Sequence, residues 1–311
     1  MVSPSTFARR SAAAGAVVWV LLLLVASSDS PQTEVIHKIV FFAILVIVPL
    51  GLAVAGDNFE SLWLYNLVVL VQPFAAVVTA ASFFVSMGMR AALLASAWLI
   101  LTGLVALFGL SRLIARGVYP LHELSIDAGL LYLPVAAGWL VVYRFGVQPF
   151  GYGETIILLT VVHFHFAGFA APIIAGANGR VLATTKYPHK LFGISIFAIV
   201  SAMPLVAAGI TFAPVLGLIG TLLLSIGLVS LAVLALGWVL PAVCSTGKRV
   251  LLAIAALASC AAMVLACLYS YSLVAKILIL KIPTMAMTHG ILNAFGFATL
   301  SLLVWSRHKK E

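Results

Sequence analysis

The sequence has 311 residues, of which 64% are hydrophobic and 8% charged, and its mean hydropathy is +1.23. A soluble domain of this length cannot sustain such a composition, so we predict an all-helical polytopic membrane protein. Polar blocks are too short for a soluble module, and we therefore predict one integral membrane domain over residues 1–311. The net charge of +9 comes from Lys and Arg scattered between apolar runs, where they orient helices. We expect no nucleic-acid partner.

Ten apolar runs each approach the ~20 residues that a helix needs to cross a bilayer. The first imitates a secretory signal peptide, with Arg9 and Arg10 before its apolar stretch, but the many later runs favour an uncleaved first helix. Because the first run is short and one later run is long, the number of spans is predicted as eight to ten. The predicted spans are 13–26, 36–55, 64–86, 91–110, 125–143, 155–176, 190–211, 214–238, 250–272 and 284–304.

The Lys and Arg residues between the spans predict the orientation. With the N-terminus in the cytoplasm, twelve of the 17 fall on the cytoplasmic side and five on the other. Because short cytoplasmic loops carry an excess of these residues, we predict that both termini are cytoplasmic and that the protein lies in the bacterial cytoplasmic (inner) membrane. The twelve are Arg9, Arg10, Arg112, Arg116, Arg180, Lys186, Lys190, Lys248, Arg249, Arg307, Lys309 and Lys310, and the five are Lys38, Arg90, Arg144, Lys276 and Lys281.

Two histidines lie in the middle of the sixth apolar run, GETIILLTVVHFHFAGFAAPIIAGAN. They are His163 and His165, and Glu154 marks the polar start of the run. Ionisable side chains near the centre of a membrane helix are costly, so they usually face a protein interior or a wet cavity. The alternative is a structural role, in which each ring is hydrogen-bonded to neighbouring helices.

A second polar cluster, HELSIDAGLLYLPV, begins at His122 and enters the fifth run. Glu123 and Asp127 are four residues apart and therefore share one face of a helix. Desolvation and mutual repulsion disfavour ionisation of both, so we predict that one stays protonated and acts as a general acid or proton carrier. The alternative is an acidic turn at a helix N-terminus, stabilised by the macrodipole. Glu60, near the start of the third run, is a further candidate acid.

The third polar cluster, MTHGILNAFGF, places His289 and Asn293 on one face of the last span. At a rise of ~1.5 Å per residue, Asp127 and His165 differ in depth by about 5 Å, and His289 is within about 5 Å of His163. We therefore predict that Asp127, His165 and His289 converge on one cavity in the membrane.

The sequence gives little support for a metal site. His163 and His165 point about 200° apart on a helix, so they cannot chelate one ion unless the helix is locally unwound. HxxxH and HExxH pairs are absent from the sequence, and the three cysteines lack metal-site spacing and are predicted to be inert thiols. We expect no metal and no cofactor, although a bis-histidine haem formed with His289 stays an alternative.

Three segments resemble the YndJ-like family of bacterial integral membrane proteins: HELSIDAGLLYLPVAAGWLV, GYGETIILLTVVHFHFAGFAAPIIAG and MTHGILNAFGF. The resemblance extends from about residue 40 to residue 306. The family implies a membrane fold without a settled activity, and its longer members are expected to carry an additional soluble part. A looser resemblance is to bacterial membrane cyclases that act on epoxidised prenyl chains, as in indole-sesquiterpenoid pathways.

These resemblances and residues predict a membrane-bound, terpene cyclase-like enzyme whose mid-membrane pocket takes an isoprenoid-like substrate. A carboxylic acid opens an epoxide or protonates an alkene, aromatic faces stabilise the cation, and histidines return the proton. The expected partners are this lipophilic substrate and membrane lipids. The predicted catalytic residues are Asp127, Glu123, His163, His165, His289 and Glu60, and the predicted substrate-binding residues are Tyr132, Phe164, Phe166, Phe169, Asn293 and Glu154. The chief alternative is a transporter or channel in which the same groups relay protons, and the third is a haem or quinone redox protein.

Overall fold

The computed structural model describes residues 2–25, 30–56, 59 and 62–307. The fold is 87% helical, and none of the described residues is in a strand. Within these ranges ten helices are long and apolar enough to cross a membrane, which confirms the predicted class of fold. They are α1 (Pro4–Leu23), α2 (Pro31–Ala55), α3 (Trp63–Phe84), α4 (Met89–Arg116), α5 (Leu121–Phe145), α6 (Glu154–Leu182), α7 (His189–Thr211), α8 (Pro214–Ala242), α9 (Thr246–Ala275) and α10 (Ile282–Trp305).

Helices α4 and α6 extend six residues beyond their predicted ends at 110 and 176. These two predicted spans end before the first arginine of each segment, Arg112 and Arg180. In the structure Arg112, Arg116 and Arg180 remain helical because they bind carboxylates of other helical segments. Helix α4 ends only at Gly117, whose φ of 82° lies in the left-handed region that favours glycine.

Four of the helices contain wide, π-type turns. These are Ala43–Ile47 in α2, Phe164–Ala170 in α6, Ala235–Val239 in α8, and Ala286–Gly290 and Leu292–Thr299 in α10. Such turns are rare, occur frequently at functional sites and alter the hydrogen bonding of the backbone. At Ile44, for example, the carbonyl accepts a hydrogen bond of 2.9 Å from Nε2 of Gln72 on α3. Two of the predicted histidines, His165 and His289, lie in these wide turns.

The chain divides into two compact units. The first contains Met1–Gly117 and Asp127–Ala170, and the second contains Val118–Ile126 and Ala171–Glu311. Helices α5 and α6 therefore contribute residues to both units. The described residues of each unit lie mainly in apolar helices long enough to cross a membrane.

The first unit is built around α2, which is 94% buried over its most apolar stretch. Helix α1 packs closely on α2 at Gly15, where a Cβ atom would lie 2.1 Å from the carbonyl oxygen of Leu45. Small residues allow this approach, and packing of this kind holds membrane helices together where no hydrophobic driving force exists. A hydrogen bond of 2.9 Å from Ser11 to Gln72 joins α1 to α3.

In the second unit, polar side chains fix the register of α8 between its neighbours. Ser195 of α7 donates to the carbonyl of Gly227 over 2.8 Å. On the side of α9, the hydroxyls of Thr221 and Ser270 are 2.8 Å apart. Ser225 and Cys267 approach to 3.2 Å one turn further along, which sets α8 and α9 antiparallel.

Candidate functional site

The buried carboxylate of Asp127 is held by two arginines of α4. Arg112 Nε donates to Oδ1 over 2.6 Å, and Arg116 Nη2 donates to Oδ2. Asp127 is 0% and Arg112 is 1% exposed, so the pair is removed from solvent. Gly109 permits the close approach of the two helices, since a Cβ atom there would lie 2.7 Å from Cβ of Leu130. The ion pairs therefore join α4 to α5 in the interior of the first unit.

Arg112 has three further stabilising contacts. Its Nη1 donates to the carbonyl of Ala55, the last residue of α2, where the helix dipole is negative. Its guanidinium carbon lies 4.4 Å from the ring centroid of Phe59 and 5.5 Å from that of Phe108, and aromatic faces attract such cations. One arginine thus connects α2, α4 and α5.

Glu123 forms a second ion pair, in the second unit. Arg180 Nε donates to Oε1 over 2.6 Å and Nη2 to Oε2 over 3.0 Å, a bidentate arrangement. His122 Nε2 lies 3.9 Å from Oε1. The helices meet closely at Gly176, where a Cβ atom would lie 2.4 Å from both the carbonyl oxygen of His122 and Cγ1 of Ile126.

These contacts correct the prediction that Glu123 and Asp127 compete with each other for a proton. A guanidinium only donates hydrogen bonds, so each carboxylate accepts from arginines of its own, and the two do not share a site. Sequence reasoning missed the arginines because it interpreted them as topology signals alone. A signal was present for Asp127, since Arg112 and Arg116 are four residues apart, share one helix face and precede Asp127 across a short connection.

His165 is fully buried, and its tautomer is fixed by its partners. Trp98 Nε1 donates to Nε2 over 3.0 Å, and Nδ1 lies 2.8 Å from the carbonyl oxygen of Val161. Because an indole nitrogen only donates and a carbonyl only accepts, Nδ1 carries the proton and Nε2 is bare. Both ring nitrogens are therefore engaged within the protein, which favours the structural alternative over a role as catalyst or haem ligand.

We expect Trp98→Phe to lower the free energy of unfolding by about 1–3 kcal/mol, because the buried Nε2 of His165 loses its donor. The measurement is the melting temperature of the purified protein in detergent. Trp139→Phe is the matched control, since Trp139 is only half-buried on α5. An equal loss in both variants would show that ring size matters and the hydrogen bond does not.

The predicted substrate-binding aromatics are packed in the first unit. Phe164, Phe166 and Phe169 are 6%, 7% and 0% exposed. Tyr132 lies with its ring centroid 6.1 Å from that of Phe164, so the structure does bring these two together. Their burial indicates core packing, and their role as a substrate surface stays a prediction.

Three further residues were predicted to belong to the site, namely His163, Glu154 and Glu60. His163 is half-buried, and its Nδ1 lies 2.6 Å from the carbonyl of Leu159 in its own helix. Glu154 is the exposed first residue of α6. Glu60 lies outside the described residues.

His289 and Asn293 are brought together, as their spacing predicts. Nδ1 of His289 lies 2.9 Å from the carbonyl of Ala262 on α9 and therefore donates to it. Asn293 Nδ2 lies 3.2 Å from Nε2 of the ring and 3.0 Å from the carbonyl of His289. The ring is only half-buried, and it is anchored on α9 at one edge and faced by an amide at the other.

An apolar groove of about 460 Å³ lies between α8 and α9, and we call it the α8–α9 groove. Its outer residues are well exposed, with Val264 at 60% and Tyr271 at 52%. Met263, one of its lining residues, directly follows Ala262, to which His289 is anchored. The lining residues are Leu218, Leu222, Ser225, Val229, Cys260, Met263, Val264, Cys267, Leu268 and Tyr271.

The predicted common site of Asp127, His165 and His289 stays a prediction. Asp127 and His165 belong to the first unit and His289 to the second, and each has partners of its own. Across the part of the chain that the structure describes, no group of three or more His, Cys, Asp or Glu side chains is placed to hold a metal ion.

Comparison with known proteins gives the family. The profile of the YndJ-like protein family matches residues 38–297. The chain belongs to the YndJ-like family. A relative from Bacillus subtilis (strain 168), described as an uncharacterized membrane protein YndJ, is 28% identical over 208 residues. That match covers 67% of this chain and 37% of the relative, so the chain spans little more than a third of its length. No solved structure shows a significant match.

The YndJ-like match includes the Asp127 and Glu123 ion pairs, His165, His289 and the α8–α9 groove. It confirms the family predicted from the three sequence segments and supports an integral membrane protein. The looser resemblance to prenyl-chain cyclases is not supported by these matches.

Proposed function

We propose that this YndJ-like protein binds one isoprenoid-like chain from the lipid phase in the α8–α9 groove and isomerises or cyclises it by proton transfer. The observation that supports this proposal is the α8–α9 groove. Its volume of about 460 Å³ is within the ~300–1,000 Å³ of small-molecule sites. Because its lining is almost entirely apolar and exposed on a membrane helix pair, a hydrophobic molecule enters it sideways from the bilayer, which we take to be the bacterial cytoplasmic membrane.

His289 is the candidate proton-transfer group that fits the groove best. Asp127 and Glu123 are bound by arginines, and His165 is bound by Trp98. His289 also has a partner at each ring nitrogen, Ala262 at Nδ1 and Asn293 at Nε2, but its ring is half-buried, and Ala262 directly precedes the groove residue Met263. Proton transfer therefore requires Nε2 to exchange the Asn293 amide for the substrate.

The reaction that suits an epoxidised isoprenoid begins with the protonated ring of His289. The ring gives its proton to the epoxide oxygen, and the carbon–oxygen bond breaks. An alkene of the same chain then supplies the electron pair for the new carbon–carbon bond. The final cation loses a proton to the neutral ring as it becomes an alkene, which restores the imidazolium.

A proton-coupled transporter, the chief alternative from sequence, is less favoured by the contacts. Of the four described carboxylates, Glu34, Glu123 and Asp127 are bound to Lys or Arg, and Glu154 is exposed. Arginine does not titrate in proteins, so the arginine pairs of Glu123 and Asp127 do not form a chain of groups that exchange protons.

The experiment is mass spectrometry of lipid extracts from cells with and without the gene. We expect a cyclised or isomerised isoprenoid product with the wild-type protein and an about 10²–10⁴-fold decrease with His289→Gln, the usual contribution of general acid–base catalysis. Val264→Trp, which fills the groove, is expected to remove the product as well. His163→Gln is the matched control and is expected to retain it. A product that both His289→Gln and Val264→Trp leave unchanged would contradict the proposal.

A further inference from the structure

We propose that the chain held in the α8–α9 groove ends in a phosphate-type headgroup bound by Lys276 and Lys281, so that the ligand is an isoprenyl phosphate. This inference rests on the proposed function and names the class of its substrate.

The first argument is the length and position of the groove. Its lining runs from Leu218 to Val229 on α8 and from Cys260 to Tyr271 on α9, about 16 Å along each helix. That is about half of a ~30 Å bilayer core, the depth of one leaflet. Leu218 and Tyr271 lie one turn from the ends of their helices at Pro214 and Ala275. The groove therefore extends from the membrane boundary towards the midplane, as a chain with its headgroup at the boundary requires.

The second argument is the charge at the boundary end. Lys276 directly follows α9, Lys281 directly precedes α10, and both are exposed. Between Ala171 and Arg307 the sequence contains no Asp or Glu. The one described carboxylate of the second unit, Glu123, is bound bidentately by Arg180. Lys276 lies five residues beyond the groove residue Tyr271, and Lys281 follows after a connection of four residues. Among the described residues of this unit, the arginine-bound Glu123 is the one carboxylate, so a phosphate supplies the complementary charge.

The cysteines of this chain provide the test. Cys260 and Cys267 line the groove, whereas Cys244 is exposed in the connection between α8 and α9, beyond the far end of the groove. A chain in the groove should slow the reaction of Cys260 and Cys267 with N-ethylmaleimide and leave Cys244 unaffected. We would measure labelling of each cysteine by peptide mass spectrometry in detergent, at increasing concentrations of farnesyl phosphate, farnesol, phosphatidylglycerol or phosphatidylcholine.

We expect farnesyl phosphate to protect at an about 25-fold lower concentration than farnesol, since two lysines contribute about fivefold each. Lys276→Gln with Lys281→Gln should abolish that difference, and Val264→Trp should abolish protection by both compounds. Equal protection by farnesol and farnesyl phosphate would overturn the proposal that the lysines bind a phosphate headgroup, while still supporting binding of a chain in the groove. No protection by either would overturn the proposed function itself. If phosphatidylglycerol protects at a lower concentration than farnesyl phosphate does, the proposal that the ligand is a single-chain isoprenyl phosphate is overturned.

Discussion

Asp127→Asn is expected to lower the free energy of unfolding by about 3–5 kcal/mol, because it leaves the buried Arg112 and the partly exposed Arg116 without their carboxylate. The asparagine keeps the shape of the side chain but cannot neutralise a guanidinium. The variant should therefore give a low yield and a low melting temperature in detergent. Turnover per folded molecule should remain, since both carboxylate oxygens of Asp127 accept hydrogen bonds from arginines.

The opposite outcome for Asp127→Asn would be normal stability with loss of activity. A variant that folds like the wild type but forms no product would restore Asp127 as the general acid that its sequence position predicts. Glu154→Gln is the matched control, because Glu154 is exposed at the start of α6 and its substitution should leave the melting temperature unchanged. Arg112→Met should cost less than Asp127→Asn, because Asp127 then keeps Arg116 as a partner.

Gly176→Ala is expected to destabilise the second unit by about 1–3 kcal/mol or more, the usual cost of overpacking. The added methyl would lie 2.4 Å from the carbonyl oxygen of His122, a backbone atom that cannot rotate away. The helical segments must separate, and the bidentate Arg180–Glu123 pair, one turn away, would be stretched. The melting temperature should therefore fall.

Gly138→Ala on α5 is the control for Gly176→Ala, because a Cβ at Gly138 would have no described atom within 4 Å apart from its own stretch of helix. That substitution should be neutral or stabilising by about 0.5–1 kcal/mol, since alanine loses less conformational freedom in a helix than glycine. A similar decrease in melting temperature in both variants would show that the close helix approach at Gly176 does not cause the loss of stability.

The spans could be predicted from sequence because a bilayer demands long apolar helices, whatever their tertiary contacts. The hydrogen-bonding partners of the polar residues could not be predicted from sequence. Arg112 in the sequence looks like any cytoplasmic arginine, and its burial depends on Asp127, Ala55 and Phe59 meeting at one point. The pairing of His289 with Asn293 was predictable because it is local, at a spacing of four.

The depth of His165 in the membrane does not predict which residue binds its ring. Its depth in α6 was used to place it beside Asp127, but depth says nothing about which way a ring points. The residue that binds it, Trp98, is 67 positions away on another helix and carries no sequence signal. The α8–α9 groove was likewise unpredictable, since it depends on the side-chain sizes at two facing helix surfaces.

The wide turns of α10 make its length sensitive to insertion and deletion. Each residue in an α-helix turns the chain by about 100°, and a π-type turn accommodates an extra residue without that rotation. Loss of one residue from Leu292–Thr299 would let the segment relax to ordinary turns and rotate Leu300–Trp305 against His289. The buried side chains Leu302, Val304 and Trp305 would then point in new directions. When related chains are aligned, a one-residue gap in this segment therefore marks a change in backbone geometry and should be kept, even where shifting it would improve the match of apolar residues.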